Sequence, residues 1–317
     1  MNNSISVARC AQFLREHDNY LIMTHRRPDG DTLGSAGALC LVLRAMGKTA
    51  YLMENSEITK KYGEFVNHLM APGEYEHDTL IAVDLASETM FPVGFDSGDI
   101  RLCIDHHGSN SFYAGETLVK PEKAACGEII LEIANELGIA VTCEIADLLY
   151  MAISTDTGCF LYLNTTPDTH RAAADVIAAG ANIGYLNKIL FRTMSEARMR
   201  LEGMIYSSLR RYLGGAFNVA TITMEMMEKA GATENDCDDL AAIAGRIEGS
   251  RCSATIREVA TGRVKISLRS GYNVNSSEVC AQFGGGGHPM AAGCTMACTP
   301  DEAREKLVEA VLKAWKE

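Results

Sequence analysis

The sequence of 317 residues has no run of about 18 uninterrupted apolar residues, the minimum for a helix that spans a membrane. Its start, MNNSISVARC, lacks the basic segment and apolar stretch of a secretory signal. Basic residues are also scarce, since 29 Lys and Arg face 41 Asp and Glu, which gives a net charge of −12. These absences predict a cytoplasmic protein with no membrane partner, and the charge argues against binding to long nucleic acids.

The cysteines lack the spacing of a metal or redox motif. There are 11 of them, an odd number, and no CxxC pair occurs. Most lie in apolar surroundings, as Cys40, Cys103 and Cys126 do, which is typical of buried, reduced thiols. The close pair Cys294 and Cys298 has no partners at zinc-ligand spacing, so we assign no metal to it.

The first half of the chain alternates apolar runs with segments of helical periodicity. The runs at 20–24, 49–53, 79–83 and 100–104 predict strands, and the stretch 33–46 predicts a helix. Strands that are apolar throughout and separated by helices are typical of a parallel sheet flanked by helices. The pattern therefore predicts an α/β fold for residues 1–187.

The second half of the chain has a different pattern. Residues 188–212 are rich in charge and in helix formers, which predicts a helical linker. Beyond the linker, 216–223, 252–259 and 263–269 predict strands, and 234–247 and 300–315 predict helices. We expect residues 213–317 to form a smaller α+β domain.

Polar residues follow three of the four predicted strands directly, and a fourth polar cluster ends a later apolar stretch. They are His25, Asp29 and Asp31 in THRRPDGD, Asp84 in AVDLAS, Asp105, His106 and His107 in DHHGSN, and Asp156 in STDTG. Since function collects at the carboxyl ends of parallel strands, we expect these side chains to lie close together.

The polar set has the chemistry of a metal centre. Carboxylate oxygens bind hard divalent cations, and imidazole shifts the preference toward Mn²⁺ or another transition ion. A single Asp after a strand is usually a helix N-cap, and a single His is usually a hydrogen-bonded packing residue. Packing the carboxylates of this set together without cations would cost several kcal/mol for each unpaired charge, so the set as a whole predicts metal binding.

The motifs THRRPDGDTLGS, VDLAS, DHHGSN and STDTG, in this order, resemble the four phosphoesterase motifs of the DHH family over about residues 20 to 160. The resemblance implies two Mn²⁺ ions, with Mg²⁺ or Co²⁺ as alternatives, bridged by Asp84. The implied ligands are His25, Asp29 and Asp84 for one ion, and Asp31, Asp84, His106 and Asp156 for the other. It also implies that Asp105 orients a histidine and that His107 faces the substrate phosphate as a general acid or electrostatic contact.

A glycine-rich segment, QFGGGGHPMAAG, is the second chemical signal. Its residues Gly284, Gly285, Gly286, Gly287 and His288 predict a phosphate or nucleotide cradle, because successive glycines present N–H groups to an anion. The stretch 290–292 is compatible with a helix whose N-terminus would add its dipole.

The sequence of the glycine segment and of its neighbours narrows the class of ligand that we expect it to bind. The segment matches neither GxGxxG nor GxxxxGK[ST], so a dinucleotide cofactor or ATP has little support. Arg269, in the SLRS segment shortly before it, is the candidate for a contact with a substrate phosphate.

GGGGHPMAAG resembles the signature of the DHH-associated C-terminal domain, over about residues 213 to 317. With both resemblances, the chain is similar to NrnA-type oligoribonucleases of the family. This implies hydrolysis of short oligoribonucleotides and linear dinucleotides to mononucleotides, and of 3′-phosphoadenosine 5′-phosphate to AMP. The alternatives are a cyclic-dinucleotide phosphodiesterase and a non-catalytic nucleotide- or RNA-binding protein, and a homodimer stays open.

Overall fold

The computed structural model describes residues 4–73, 75–95, 98–237 and 240–316. The chain divides into two compact units, Met1–Thr193 and Met194–Glu317. No helix in these described ranges is long and apolar enough to cross a membrane.

Five parallel strands form the sheet of the first unit. They are β1 (Tyr20–Met23), β2 (Ala50–Leu52), β3 (Thr79–Val83), β4 (Ile100–Asp105) and β5 (Glu116–Val119), in the spatial order β2-β1-β3-β4-β5. Strands β1, β3 and β4 are neighbours, with Met23 opposite Ala82 and Val83 opposite Ile104. The carboxyl ends of these three strands therefore meet at one edge of the sheet.

Seven α-helices accompany this sheet. They are α1 (Val7–Glu16), α2 (Gly30–Ala45), α3 (Lys60–Val66), α4 (Cys126–Leu137), α5 (Cys143–Asp156), α6 (Pro167–Ala178) and α7 (Ile183–Asn187). Short 3₁₀ turns lie at Asn67–Leu69 and Glu88–Met90, and a π-helical turn lies at Lys188–Arg192. This number of α-helices refers only to the described residues of the first unit.

The strands of the first unit bury side chains on both faces, because successive residues point to opposite sides. Ile22, Ile81 and Ile104 join the larger core with the helices. Met23 and Cys103 join a smaller core on the other face, which loop residues cover. The fold predicted from the sequence, a parallel sheet with flanking helices, is confirmed.

The second unit holds a mixed six-stranded sheet. Its strands are β6 (Arg210–Tyr212), β7 (Phe217–Ile222), β8 (Cys252–Ala260), β9 (Arg263–Ser270), β10 (Gly286–His288) and β11 (Ala291–Met296), in the order β10-β11-β9-β8-β7-β6. Strands β7 and β8 pair in parallel, and the other neighbours are antiparallel.

Helices and 3₁₀ turns complete the second unit. The helices are α8 (Glu196–Ser208), α9 (Met224–Ala230), α10 (Ser276–Ala281) and α11 (Pro300–Ala314), and 3₁₀ turns lie at Leu213–Gly215, Glu234–Cys237 and Leu240–Gly245. A core that includes Phe217, Ile256, Ile266 and Leu307 holds the sheet and α11 together. The separate α+β organisation expected for the C-terminal region is confirmed.

Two local predictions in the second unit are wrong. Within the predicted helix 234–247, 3₁₀ turns form at Glu234–Cys237 and Leu240–Gly245. The Thr255 hydroxyl of β8 donates to the carbonyl oxygens of Leu240 and Ala241, so these two carbonyls bond to the sheet. The predicted helix at 290–292 is a turn residue, Met290, followed by the first two residues of β11, because pairing with β9 and β10 satisfies the strand's backbone groups.

Candidate metal centre and phosphate site

The predicted metal ligands come from five chain segments that end at the same edge of the first sheet. His25 follows β1, Asp84 follows β3, and His106 follows Asp105, the last residue of β4. Asp29 is the N-cap of α2, where its carboxylate accepts the backbone N–H groups of Asp31 and Thr32. Asp156 is the last residue of α5.

Helices α2 and α5 approach closely beside this edge, and two glycines make the approach feasible. A Cβ atom on Gly30 would lie 2.4 Å from Thr155 Oγ1, and one on Gly34 would lie 2.4 Å from the Leu148 carbonyl oxygen. Any larger residue would push the helices apart. The close packing therefore brings the start of α2, with Asp31, against the end of α5, with Asp156.

The imidazole and carboxylate atoms face one another at distances longer than hydrogen bonds. His106 Nε2 lies 3.4 Å from Asp84 Oδ1 and 3.7 Å from both Asp31 Oδ2 and Asp156 Oδ2. His25 Nε2 lies 3.7 Å from Asp29 Oδ1 and 3.8 Å from Asp84 Oδ2. Ligands of a cation with bonds of about 2.1 Å lie about 3 to 4 Å apart, so this spacing suits shared metal coordination.

Three overlapping groups of side chains meet the distance requirement for one ion. They are His25 with Asp29 and Asp84; Asp31 with His106 and Asp156; and Asp84 with His106 and His107. Asp84 and His106 each belong to two of the groups. Of the two, only the Asp84 carboxylate has two oxygen atoms to offer to two ions, so Asp84 is the candidate bridging ligand. The structure thus brings together all six residues expected to bind metal.

Both candidate histidine ligands are oriented by backbone carbonyls. His25 Nδ1 lies 2.7 Å from the Arg26 carbonyl oxygen, and His106 Nδ1 lies 3.1 Å from that of Lys123. An Nδ1–H that donates to a carbonyl leaves Nε2 with its lone pair, and Nε2 is the atom that faces the carboxylates in both residues. This is the usual arrangement around a metal-binding imidazole.

Asp84 is the residue at this site least explained without a cation. Its Oδ1 atom is buried and has no hydrogen-bond partner in the described part of the chain, a costly state for a charged oxygen. Its backbone also adopts a left-handed conformation, with φ 56°, which is strained for a non-glycine residue. Burial and the charges of Asp31 and Asp29 raise the pKa of Asp84 well above its usual range.

Asp31 is buried but fully anchored. Its carboxylate accepts the backbone N–H groups of Cys126, at 2.7 Å, and Gly127, at 3.0 Å, at the start of α4, as well as the Ser35 hydroxyl at 2.9 Å. Burial and the charge of Asp156 still raise its pKa well above the usual range. A cation beside these carboxylates would remove the repulsion, so the residues present fit a divalent metal ion.

Asp105 and His107 form a hydrogen-bonded pair beside the ligands. Asp105 Oδ1 lies 2.8 Å from His107 Nδ1, and Asp105 Oδ2 accepts the Asn110 side-chain N–H at 2.7 Å. Burial favours a raised pKa for Asp105, but these hydrogen bonds outweigh it and lower the pKa. The hydrogen bond to Asp105 raises the pKa of His107, which favours its protonated, positively charged form.

The glycine segment of the second unit forms the β10 side of a hairpin. Gly285 has no room for a side chain, because a Cβ atom would lie 2.2 Å from the Gly293 carbonyl oxygen. Gly284 and Gly287 have φ values of 72° and 143°, which favour glycine. The hairpin thus requires these glycines, while Gly286 and His288 remain exposed.

Strand pairing places Arg269 beside this hairpin. Arg269 on β9 lies opposite Ala291 on β11, and Ala291 lies opposite His288 on β10. Directly opposed residues of antiparallel strands share a face, so Arg269 and His288 flank the small Ala291 side chain. A cation and an exposed imidazole on one face can bind a phosphate group.

Several groups that hold the candidate ligands escaped the sequence analysis. They are the Arg26 and Lys123 carbonyl oxygens, the Cys126 and Gly127 N–H groups, and the Ser35, Asn110 and Asn164 side chains. Backbone groups leave no trace in a sequence. Asn110, the last residue of DHHGSN, and Ser35, the last residue of THRRPDGDTLGS, are the two with a readable signal, since both are polar residues inside the quoted motifs.

Known families and relatives match most of this chain. The DHH family, N-terminal domain, matches residues 19–153, and the DHHA1 domain matches residues 214–317. The bifunctional oligoribonuclease and PAP phosphatase NrnA of Thermus thermophilus is 35% identical over 300 residues, which are 92% of this chain and 88% of the relative. The NrnA of Bacillus subtilis is 27% identical over 290 residues, covering 88% and 90%.

A solved structure shares the fold. An exopolyphosphatase-related protein from Bacteroides fragilis superposes with a TM-score of 0.84 at 24% identity, covering 97% of this chain and 95% of that one. The phosphoesterase chemistry expected from the sequence agrees with the two NrnA relatives. On these matches the chain belongs to the DHH family, and its C-terminal region is a DHHA1 domain.

Proposed function

We propose that this protein hydrolyses short oligoribonucleotides and linear dinucleotides to mononucleotides, and 3′-phosphoadenosine 5′-phosphate to AMP, with two Mn²⁺ ions. The observation that carries the proposal is the cluster of carboxylates and imidazoles around the buried Asp84, whose Oδ1 atom has no hydrogen-bond partner in the described chain. The two activities of the 35% identical Thermus relative support the choice of substrates.

The cluster offers a distinct set of side chains to each proposed ion. His25, Asp29 and Asp84 would hold one ion, and Asp31, His106 and Asp156, with Asp84 shared, would hold the other. Two such ions supply an activated water and neutralise charge on the oxygens of the scissile phosphate. Oxygen and imidazole ligands suit Mn²⁺, and Mg²⁺ or Co²⁺ are the alternatives.

Asp105 and His107 have a separate task. Asp105 accepts hydrogen bonds from the backbone N–H groups of His106 and His107, at 2.8 and 3.1 Å, and so fixes the turn that carries both histidines. His107, held through Nδ1, keeps a partly exposed ring. We assign His107 to the scissile phosphate, where its protonated form would stabilise negative charge or protonate the leaving oxygen.

The second unit supplies substrate binding in this proposal. Arg269 and the segment Gly284, Gly285, Gly286, Gly287 and His288 would bind a phosphate of the nucleotide through the guanidinium, backbone N–H groups and imidazole. The pairing of β9, β11 and β10 supports this role, because it fixes the arginine and the hairpin together. The location we propose is the cytoplasm, in keeping with eleven free cysteines and no disulfide among the described residues.

The test is product chromatography after incubation with 5′-phosphorylated RNAs of about two, five and twenty nucleotides and with 3′-phosphoadenosine 5′-phosphate. We expect release of mononucleotides and AMP with Mn²⁺, fastest from the dinucleotide, and none with chelator. Asp175→Asn removes an exposed carboxylate on α6. It is the control for the loss of one negative charge in Asp84→Asn, the variant that removes the shared candidate ligand. Absence of hydrolysis from every substrate with Mn²⁺ would overturn the proposal, and cyclic dinucleotides would be assayed next.

A further inference from the structure

A loop beside the metal centre exposes three consecutive apolar side chains. We call residues 158–164 the Tyr162 loop. Leu161 is 83% exposed, Tyr162 58% and Leu163 91%. The loop begins two residues after the candidate ligand Asp156. Exposed apolar runs of this kind mark surfaces that contact a ligand or another molecule.

The Tyr162 loop is held in place by hydrogen bonds from its own base. The buried Thr157 hydroxyl accepts the Phe160 N–H at 3.1 Å, and the Thr157 carbonyl oxygen accepts the N–H groups of Leu161, at 2.9 Å, and Tyr162, at 3.0 Å. The Phe160 ring stacks on His170, with ring centroids 5.2 Å apart. The exposed side chains therefore project from a fixed backbone.

The far end of the loop is tied to the metal centre. The Asn164 side-chain N–H lies 3.1 Å from the Asp156 carbonyl oxygen and 3.1 Å from that of Ala124. Ala124 follows Lys123, whose carbonyl oxygen faces His106 Nδ1. The loop is thus fixed to the two segments that position Asp156 and His106.

The backbone of the loop adopts a strained conformation that keeps the apolar side chains exposed. Cys159 and Phe160 are non-glycine residues with φ values of 58° and 65°. The Tyr162 ring lies against Gly158, since a Cβ atom there would be 2.4 Å from the ring carbon Cζ. One side of the ring is packed on the loop, and much of the rest faces solvent. Strain of this type is kept where it positions a functional group.

We propose that the Tyr162 loop is a binding surface for a nucleobase of the substrate, with the Tyr162 ring as the stacking partner. The inference rests on the proposed function, since it needs a nucleotide substrate at the neighbouring metal centre. A ring that stacks accepts every base, because each base has a π-face. A surface of this chemistry suits an enzyme that acts on short RNAs of any sequence.

The test compares two substrates and two variants. The substrates are a 5′-phosphorylated dinucleotide and its analogue with both bases replaced by hydrogen, each with Mn²⁺. Tyr162→Leu keeps the apolar bulk and removes the aromatic face, whereas Tyr162→Phe keeps that face. Tyr206→Ala, at a tyrosine 41% exposed on α8, is the matched control.

We expect Tyr162→Leu to lower kcat/KM for the dinucleotide about 10- to 100-fold and to leave that for the baseless analogue unchanged. Tyr162→Phe and Tyr206→Ala should behave as wild type on both. Equal losses on both substrates, or no loss on either, would overturn the inference. Wild-type protein that hydrolyses neither substrate would refute the proposed function itself, and with it this assignment.

A binding measurement gives a readout independent of turnover. A dinucleotide with a non-hydrolysable methylene linkage carries 2-aminopurine at one base position and then at the other. Stacking on Tyr162 should quench its fluorescence in wild type and Tyr162→Phe but not in Tyr162→Leu. Quenching that survives in Tyr162→Leu, or a change of oligomeric state in that variant by light scattering, would contradict base binding and identify a structural or subunit contact.

Discussion

At the scale of single residues, Asp84 provides the strongest support for a metal centre. It combines a buried oxygen without a hydrogen-bond partner in the described chain, a left-handed backbone and a raised pKa. Each feature lowers stability in the metal-free protein, and together they place a carboxylate where two groups of ligands overlap. Asp84 destabilises the metal-free fold and lies where a cation could bind, so metal binding is the best explanation for its position.

Replacement of Asp84 should therefore have opposite effects on turnover and on metal-free stability. Asp84→Asn removes a shared ligand, so we expect turnover with Mn²⁺ to fall on the order of 10³-fold, since metal catalysis supplies several kcal/mol. In chelator the same variant should be more stable than wild type, because a repelled charge is gone. Activity assays and denaturant unfolding check the pair, and a variant destabilised in chelator would contradict the account.

Arg269 carries the prediction for substrate binding. Arg269→Ala should raise KM for the dinucleotide about 10- to 100-fold, since hydrogen bonds to charged groups are worth about 1.5 to 3 kcal/mol, with a smaller change in kcat. Arg263→Ala, an exposed arginine at the start of the same strand, should leave both constants unchanged. Steady-state kinetics distinguish the two variants. Equal effects would mean that Arg269 acts only through its positive charge and makes no specific contact with the substrate.

At the scale of elements, the site depends on how closely α2 and α5 pack. Gly34 meets the Leu148 carbonyl oxygen and the Ala152 backbone nitrogen within distances that leave no room for a methyl group. Asp31 and Asp156 lie at the ends of these same helices. The distance between these two candidate ligands of one ion therefore depends on the small residues Gly30 and Gly34.

Gly34→Ala should separate the helices and weaken metal binding. We expect a loss of about 1 to 3 kcal/mol in the free energy of unfolding, the usual effect of overpacking, together with a higher Mn²⁺ dissociation constant. Gly203→Ala on α8, where a Cβ atom meets nothing within 4 Å, should instead stabilise by about 1 kcal/mol. Thermal melts and metal titration check both, and a neutral Gly34→Ala would contradict the packing argument.

The elements also show what the sequence could and could not predict. The strand at 79–83 is found unchanged, because its run of apolar residues is buried on both faces. The stretch 290–292 enters strand β11 at Ala291 instead of forming a helix, since pairing with two neighbouring strands outweighs local helix preference. The candidate ligands were recognisable as side chains in motifs, whereas the carbonyls that orient His25 and His106 come from chain folding alone.

The whole molecule should depend on metal for its stability, and on pH in a defined direction. The pKa values of Asp31 and Asp84 are raised in the metal-free fold, so the folded chain holds these protons more tightly than the unfolded chain. Stability in chelator therefore falls as pH rises from the unfolded Asp pKa of about 3.9 toward the raised folded values. Metal ions favour the ionised carboxylates and remove this loss.

Denaturant unfolding between about pH 5 and pH 8, with chelator and with Mn²⁺, checks this linkage. We expect the stabilisation by Mn²⁺, measured as the difference between the two series, to grow with pH. Stabilisation that shrinks over this range would mean that the carboxylates are already ionised and satisfied without a cation.

In the proposed function, one cluster of side chains holds two metal ions, and the protein hydrolyses short nucleotide substrates with them. The most direct measurement is titration of Mn²⁺ into chelated protein, with bound ions counted by native mass spectrometry and dinucleotide turnover measured in the same samples. The account predicts two ions per chain and turnover that rises only as the second ion binds. Turnover by the chelated protein, or full turnover with one bound ion, would contradict it.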